Sequence, residues 1–325
     1  LDDLALLQAE VEVQRPDGWR FEGRPGGTHI DDEDARTAAL IYRDVQELAV
    51  GHTCSATWGV DLDGEVVALR TTWMPQADVP MVSASGHSIL ADAIGRVAPD
   101  GLRTDALASG DPTPTLGAVI EGYRSWIAAE RARIPLLPAE HREQAVRQLD
   151  ACERSAERMA AGVARLASDP KAAVAFRLAN RAIAMQRRWS EPERAFAWRP
   201  FQLAFILQTL DSIADPTSPD REVMDLLWFP TGGGKTEAYL GLIAFTIFLR
   251  RLRGGTREEQ DGVACFMRYT LRLLTLQQFE RAAALICACE MIRASAPAAG
   301  DPDLRGTAPI SLGLWVGGGA TPNTM

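Results

Sequence analysis

The segment Trp228-Phe229-Pro230-Thr231-Gly232-Gly233-Gly234-Lys235-Thr236-Glu237 constrains this chain more than any other. It lies between an apolar, β-prone run, Val223 to Phe229, and an apolar helical run, Glu237 to Arg253. Three consecutive glycines put no side chain in the way of an incoming group, so successive backbone N–H groups can converge on an anion. The positive end of the following helix adds to the same field. Strand, glycine loop, lysine and helix in that order form the local plan of a phosphate-binding loop. Lys235 would reach the β- and γ-phosphates and Thr236 would offer its hydroxyl to Mg²⁺, with Thr231, Gly232, Gly233, Gly234 and Glu237 completing the cradle. The competing reading is a glycine-rich turn with an incidental Lys-Thr. One departure matters: the general phosphate-loop pattern wants glycine at position 229, where this chain has Phe229.

The flanks extend the pattern. Strands are expected at Val223 to Phe229, Val263 to Met267 and Ile310 to Val316, and helices at Glu237 to Arg253 and Leu276 to Arg293. Such alternation implies a parallel α/β sheet with right-handed crossovers over residues 191–325. Upstream, residues 1–117 read as an irregular N-terminal region. It holds one helix, Ala35 to Val50, and a β-hairpin, Thr53 to Leu62 and Glu65 to Trp73, turned by Asp63-Gly64. Residues 75–117 show no regular period and read as loop or linker. Residues 118–190 read as an amphipathic helical hairpin or small bundle, broken near Pro135-Leu136-Leu137-Pro138 and at Asp169-Pro170.

Composition narrows the class. With 46% hydrophobic and 24% charged residues, the chain of 325 residues is a globular sequence and not a disordered one. No apolar run spans a bilayer and the start lacks a secretory signal, so a cytoplasmic protein is expected. Five widely spaced cysteines without a CxxC pair and four scattered histidines fit neither a disulfide frame nor a zinc site. The net charge of -9 argues against a surface coated with nucleic acid, though a local basic groove is compatible with it. Of 34 basic residues only Lys171 and Lys235 are lysines. A compact ammonium retained in the glycine loop therefore stands out in a chain that otherwise uses guanidinium.

The shorter form Gly232-Gly233-Gly234-Lys235-Thr236 is similar to motif I of superfamily-two helicases. Trp198-Arg199-Pro200-Phe201-Gln202 resembles their Arg-Pro-aromatic-Gln segment, whose glutamine reads the adenine edge with an amide that both donates and accepts. A buried helix start explains the same string equally well. The run from Arg268 to Phe279 looks like motif Ia, and Arg268, Thr270 and Gln278 would then hold a nucleic-acid backbone. Surface or capping roles are the alternative. Gly317 and Gly318, in the run Gly317-Gly318-Gly319, are similar to a glycine doublet that lets a nucleic-acid backbone approach, or form a simple loop.

Phe229 to Tyr239 together with Met267 to Glu290 resembles DrmA, the helicase-subunit family of the DISARM anti-phage defence systems. Ile41 to Trp58 and Ala175 to Gln186 look like that family's N-terminal region. The resemblance implies the first half of a RecA-like parallel-sheet domain preceded by an α+β region. It also implies ATP and Mg²⁺ as cofactors, DNA as substrate, and the partner subunit DrmB. No DExx box or arginine-finger motif is present, and both are expected beyond Met325, in a longer chain. A translocase that never separates strands, or a nucleotide-binding scaffold, are the alternatives. Residues 1–190, acidic and without a catalytic grouping, are expected to recruit a partner or to cover a basic DNA path.

Overall fold

A computed structural model of the chain describes residues 9–23, 32–45, 47–50, 54–74, 87–97, 102–229, 232–269, 272–295, 303–304 and 308–315. Two compact units divide it, one comprising Leu1–Met81 with Arg131–Leu149, the other Val82–Glu130 with Asp150–Met325.

In the first unit the Asp-Gly turn does what its chemistry dictates. Gly64 takes φ +80°, and the Asp61 carboxylate accepts from the backbone N–H of Asp63 and Glu65 at 3.0 and 2.9 Å. Strands β2 (Ser55–Val60) and β3 (Val66–Thr72) run antiparallel from it, as the hairpin reading expects. A third strand that the sequence reading omitted, β1 (Glu12–Gln14), pairs with the other edge of β3, giving the order β1-β3-β2. Arg70 faces Glu12 across that ladder at 2.8 Å. The expected helix over Ala35 to Val50 is shorter: α1 spans Glu33–Ile41 and is N-capped by Asp32.

The second unit is helical where it is regular. Residues 75–117 were expected as loop, yet α2 (Ser88–Val97) and α3 (Thr104–Ala108) form there. The short amphipathic run Ser-Ile-Leu-Ala-Asp-Ala-Ile was hidden by the Pro, Gly and Ser around it. Then come α4 (Thr113–Arg133) and α5 (Ala139–Ser168), whose residues Arg131–Leu149 are counted with the first unit, and α6 (Pro170–Ser190). These break where proline predicts, and Asp169 caps α6 through the N–H groups of Lys171 and Ala172. After them come α7 (Pro200–Ala214), α8 (Lys235–Arg253), α9 (Arg257–Asp261) and α10 (Arg272–Ser295). Helix α6 packs on α3, α8 and α10, and α7 packs on α8. Leu203, Leu207 and Leu210 of α7 fill this core with Leu240, Phe245 and Phe248 of α8 and Leu285 and Ile292 of α10. Each such side chain removed from water contributes about 1.5–3 kcal/mol. Where α5 crosses α7, Gly162 is obligatory: a Cβ there would lie 2.1 Å from the carbonyl oxygen of Leu207.

The parallel sheet expected over residues 191–325 is not seen among the described residues, whose only sheet is the antiparallel one above. Residues 223–229, 263–267 and 310–315 take no regular secondary structure and form no ladder. Side chains hold their backbones instead. Arg250 donates to the carbonyl of Val263 at 2.8 Å, and the Glu290 carboxylate accepts from the N–H of Ile310 at 2.9 Å. The Asp225 side chain receives both ends of the Arg158 guanidinium, at 2.6 and 2.9 Å. Parallel strands are stable when both faces are covered. Here Met224, Leu226, Trp228, Val263, Phe266 and Trp315 are exposed, so apolar strand propensity is present without the burial that would turn it into a sheet.

Candidate functional site

The glycine loop lies where α8 begins. Gly234 is the N-cap of that helix with φ +90°, ψ 29°, a left-handed conformation that a side chain disfavours, and Gly232 shares it with φ +80°. As glycine, Gly234 brings no side chain to cap this helix start, so the first-turn N–H groups lack the acceptor that a Ser or Asp at the N-cap would bring. Lys235 is the first helical residue and donates from Nζ to the carbonyl oxygen of Phe229, closing the loop across its neck. Thr236 follows, half-buried, and Gly233 is buried.

The first turn of α7 supports the loop from behind. Phe201 stacks on Phe229 with ring centroids 3.7 Å apart and planes 8° from parallel. That contact accounts for an aromatic residue where the general pattern has glycine. Arg199 donates from Nη1 to the carbonyl of Gly233 at 3.0 Å. Gln202, 2% exposed, accepts from the backbone N–H of Arg199 at 2.8 Å and donates from Nε2 to the carbonyl of Gly234 at 2.7 Å. The buried-helix-start reading of this string thus describes what its backbone does, with Pro200 in the first turn and Gln202 returning to the cap. Trp198, just before it, donates its indole N–H to Asn180 at 2.8 Å and covers Gly241 of α8.

Glu237 is a junction. Its Oε1 pairs with Arg281 of α10 and lies 3.9 Å from Arg187 of α6, while its Oε2 is buried without a hydrogen-bond partner. Oε2 also sits 3.2 Å from where a Cβ on Gly234 would stand. Arg187 is itself held by Glu191 at 2.6 Å and lies over the Phe196 ring at 5.2 Å. The two arginines are site residues that sequence reasoning missed, because single arginines inside amphipathic helices carry no motif signal. Beside them, burial raises the phenol pKa of Tyr239; it raises that of Tyr269 too, where the Arg281 charge opposes it.

The remaining expected site residues divide. Arg268 is exposed and forms no ion pair among the described residues. Gln278 is on α10, half-buried, with a buried Oε1 that lacks a donor. Only its amide nitrogen can serve a phosphate, whose oxygens accept. Thr231, Thr270, Gly317 and Gly318 lie outside the described residues. Within them no three metal-ligating side chains cluster, and no helix is long and apolar enough to cross a membrane.

No protein-family model matches the chain. Among curated proteins, the DISARM protein DrmA of Bacillus paralicheniformis is 32% identical across 99% of the chain. The resemblance to DrmA is thereby borne out along almost its full length. The chain spans 30% of that relative.

Proposed function

We propose that this chain, as a DrmA-like portion of a defence protein, holds ATP with Mg²⁺ at the glycine loop and couples that nucleotide to engagement of DNA. The observation that supports this most is the loop at the start of α8. It is glycine at both positive-φ positions, has a glycine and not a capping side chain at the N-cap, and has the only lysine of residues 191–325 at its helical end. Two left-handed glycines followed by a helix start at a lysine bring together backbone N–H groups and a positive charge, which is what an anionic phosphate requires.

In this reading the N–H groups of Gly232 to Thr236 meet the phosphates, Lys235 neutralises the β- and γ-phosphate charge, and Thr236 holds Mg²⁺. Bound Mg²⁺·ATP supplies the transferable phosphoryl group. Arg268 with Thr270 and Gln278 then holds a DNA backbone, and Gly317 and Gly318 admit it closely. The likeness to DrmA indicates a defence-system role and partner proteins, among which DrmB is the one proposed here. The reading of the whole is an ATP-driven DNA helicase or translocase of a defence system, acting on invading DNA.

The test is ATP turnover by the full-length protein with and without single-stranded DNA. Turnover stimulated by DNA, with Arg268→Ala weakening DNA binding by a similar factor for every sequence, is expected. A lost phosphate contact should also lower the log–log salt slope by about 0.7. Turnover indifferent to DNA would remove the coupling, and a loss confined to particular base sequences would contradict backbone tracking.

A further inference from the structure

We infer that Arg199 is a positioning residue of the glycine loop, acting with Gln202 to turn the peptides of Gly233 and Gly234 so that their N–H sides face the nucleotide phosphates. The inference rests on the nucleotide reading above and deepens it.

A trans peptide directs its C=O and the following N–H to opposite sides of the backbone, and no cis bond occurs among the described residues. The carbonyl of Gly233 is drawn toward α7 by Arg199 at 3.0 Å, and that of Gly234 by Gln202 at 2.7 Å. The N–H groups of Gly234 and Lys235 must therefore point away from α7, on the side where Lys235 begins the helix. Glycines at φ +80° and +90° would otherwise let these peptides rotate, since glycine has no Cβ to fix them. Two hydrogen bonds from one helical turn supply the constraint that the glycines lack. The stack of Phe201 on Phe229 fixes the entry side of the same loop, so this turn grips both of its ends. Gln202, with one amide end on the Arg199 N–H and the other on the Gly234 carbonyl, is committed to the loop.

The experiment compares equilibrium binding of Mg·ATP, Mg·GTP and inorganic tripolyphosphate to the full chain and to Arg199→Ala, Gln202→Ala and Gln202→Glu. Gln202→Glu retains the oxygen that accepts from Arg199 and loses the donor to Gly234, so it separates capping of α7 from positioning of the loop. All three variants should weaken all three probes by a common factor, about tenfold for one lost hydrogen bond that orients a ligand contact. The unfolding midpoint of Arg199→Ala, at an exposed residue, should stay near the wild-type value, so a fall in its affinity reports positioning and not unfolding. Loss confined to Mg·ATP, with GTP and tripolyphosphate unchanged, would make Gln202 a base reader and overturn the inference while leaving the nucleotide site standing. Unchanged affinities for every probe would overturn it as well. A wild-type chain that binds none of the three would remove the nucleotide reading and this inference together.

Discussion

Replacing Gly234 with alanine tests the geometry of the loop most closely, because its two consequences can be separated. The first is backbone strain: at φ +90°, a left-handed position, an L side chain costs about 1–2 kcal/mol. The second is a collision, since the new Cβ would stand 2.7 Å from Nε2 of Gln202 and 3.2 Å from Oε2 of Glu237. Gln202 cannot swing aside at little cost, being 2% exposed and hydrogen-bonded at both amide ends. Displacing it gives up a hydrogen bond of about 1 kcal/mol and strands a buried amide. The sum is a loss of about 3 kcal/mol. Gly232→Ala is the internal control: its φ is +80°, but a Cβ there meets nothing within 4 Å, so only the strain of about 1–2 kcal/mol remains. Urea unfolding followed by tryptophan fluorescence reports the difference, because the Trp198 indole is buried against α8 beside the site. Equal midpoints for the two variants would refute the packing of Gln202 against the loop.

Three further outcomes follow from the same contacts. Gly162→Ala should destabilise by about 2 kcal/mol, as overpacking of about 3 kcal/mol against the Leu207 carbonyl outweighs a helix-propensity gain of about 1 kcal/mol; a raised urea midpoint would contradict the close crossing of α5 and α7. A double-mutant cycle of Glu237→Gln with Arg281→Met should show coupling of at least about 1 kcal/mol, and additive effects would deny that Glu237 joins α8 to α10. Glu290, hydrogen-bonded by Arg293, has its carboxyl pKa held below the usual range, so its contribution is fully present above the ordinary glutamate pKa of about 4.3 and is lost as pH falls below that value through the lowered folded-state pKa. Glu290→Gln should therefore flatten the stability profile between about pH 5 and pH 3, by no more than about 1 kcal/mol for this partly exposed pair, and an unchanged acid limb would count against it.

Local chemistry was legible where one residue type carries the instruction. Asp63-Gly64 announced its hairpin, Asp169-Pro170 its helix break, and the three glycines with Lys235 and Thr236 their helix start. Long-range pairing was not. The strand Glu12–Gln14 is too short for a period, and its partner lies some sixty residues away. The runs 223–229, 263–267 and 310–315 have strand composition, but a strand also needs a neighbour, which composition does not encode. Within the candidate site, the motif string points to the loop and to Gln202 as neighbours, yet not to the direction in which the Gln202 amide points. That direction is set by the Gly234 carbonyl, a backbone group without a sequence signature. Arg199 stands in the sequence as one letter of a short string, and nothing in the sequence separates Arg187 and Arg281 from the other basic residues.

The most direct measurement is a calorimetric titration of Mg·ATP into the wild-type chain and into Lys235→Ala. The Lys235 ammonium lies in the neck of the loop and fills no apolar core, so its removal should leave the unfolding midpoint near the wild-type value. Saturable one-site binding to the wild type, weakened about a hundredfold in the variant, is the result predicted for a lost charge-assisted contact to phosphate. Equal affinity in both proteins, or no binding to the wild type, would contradict the assignment of this loop to a nucleotide.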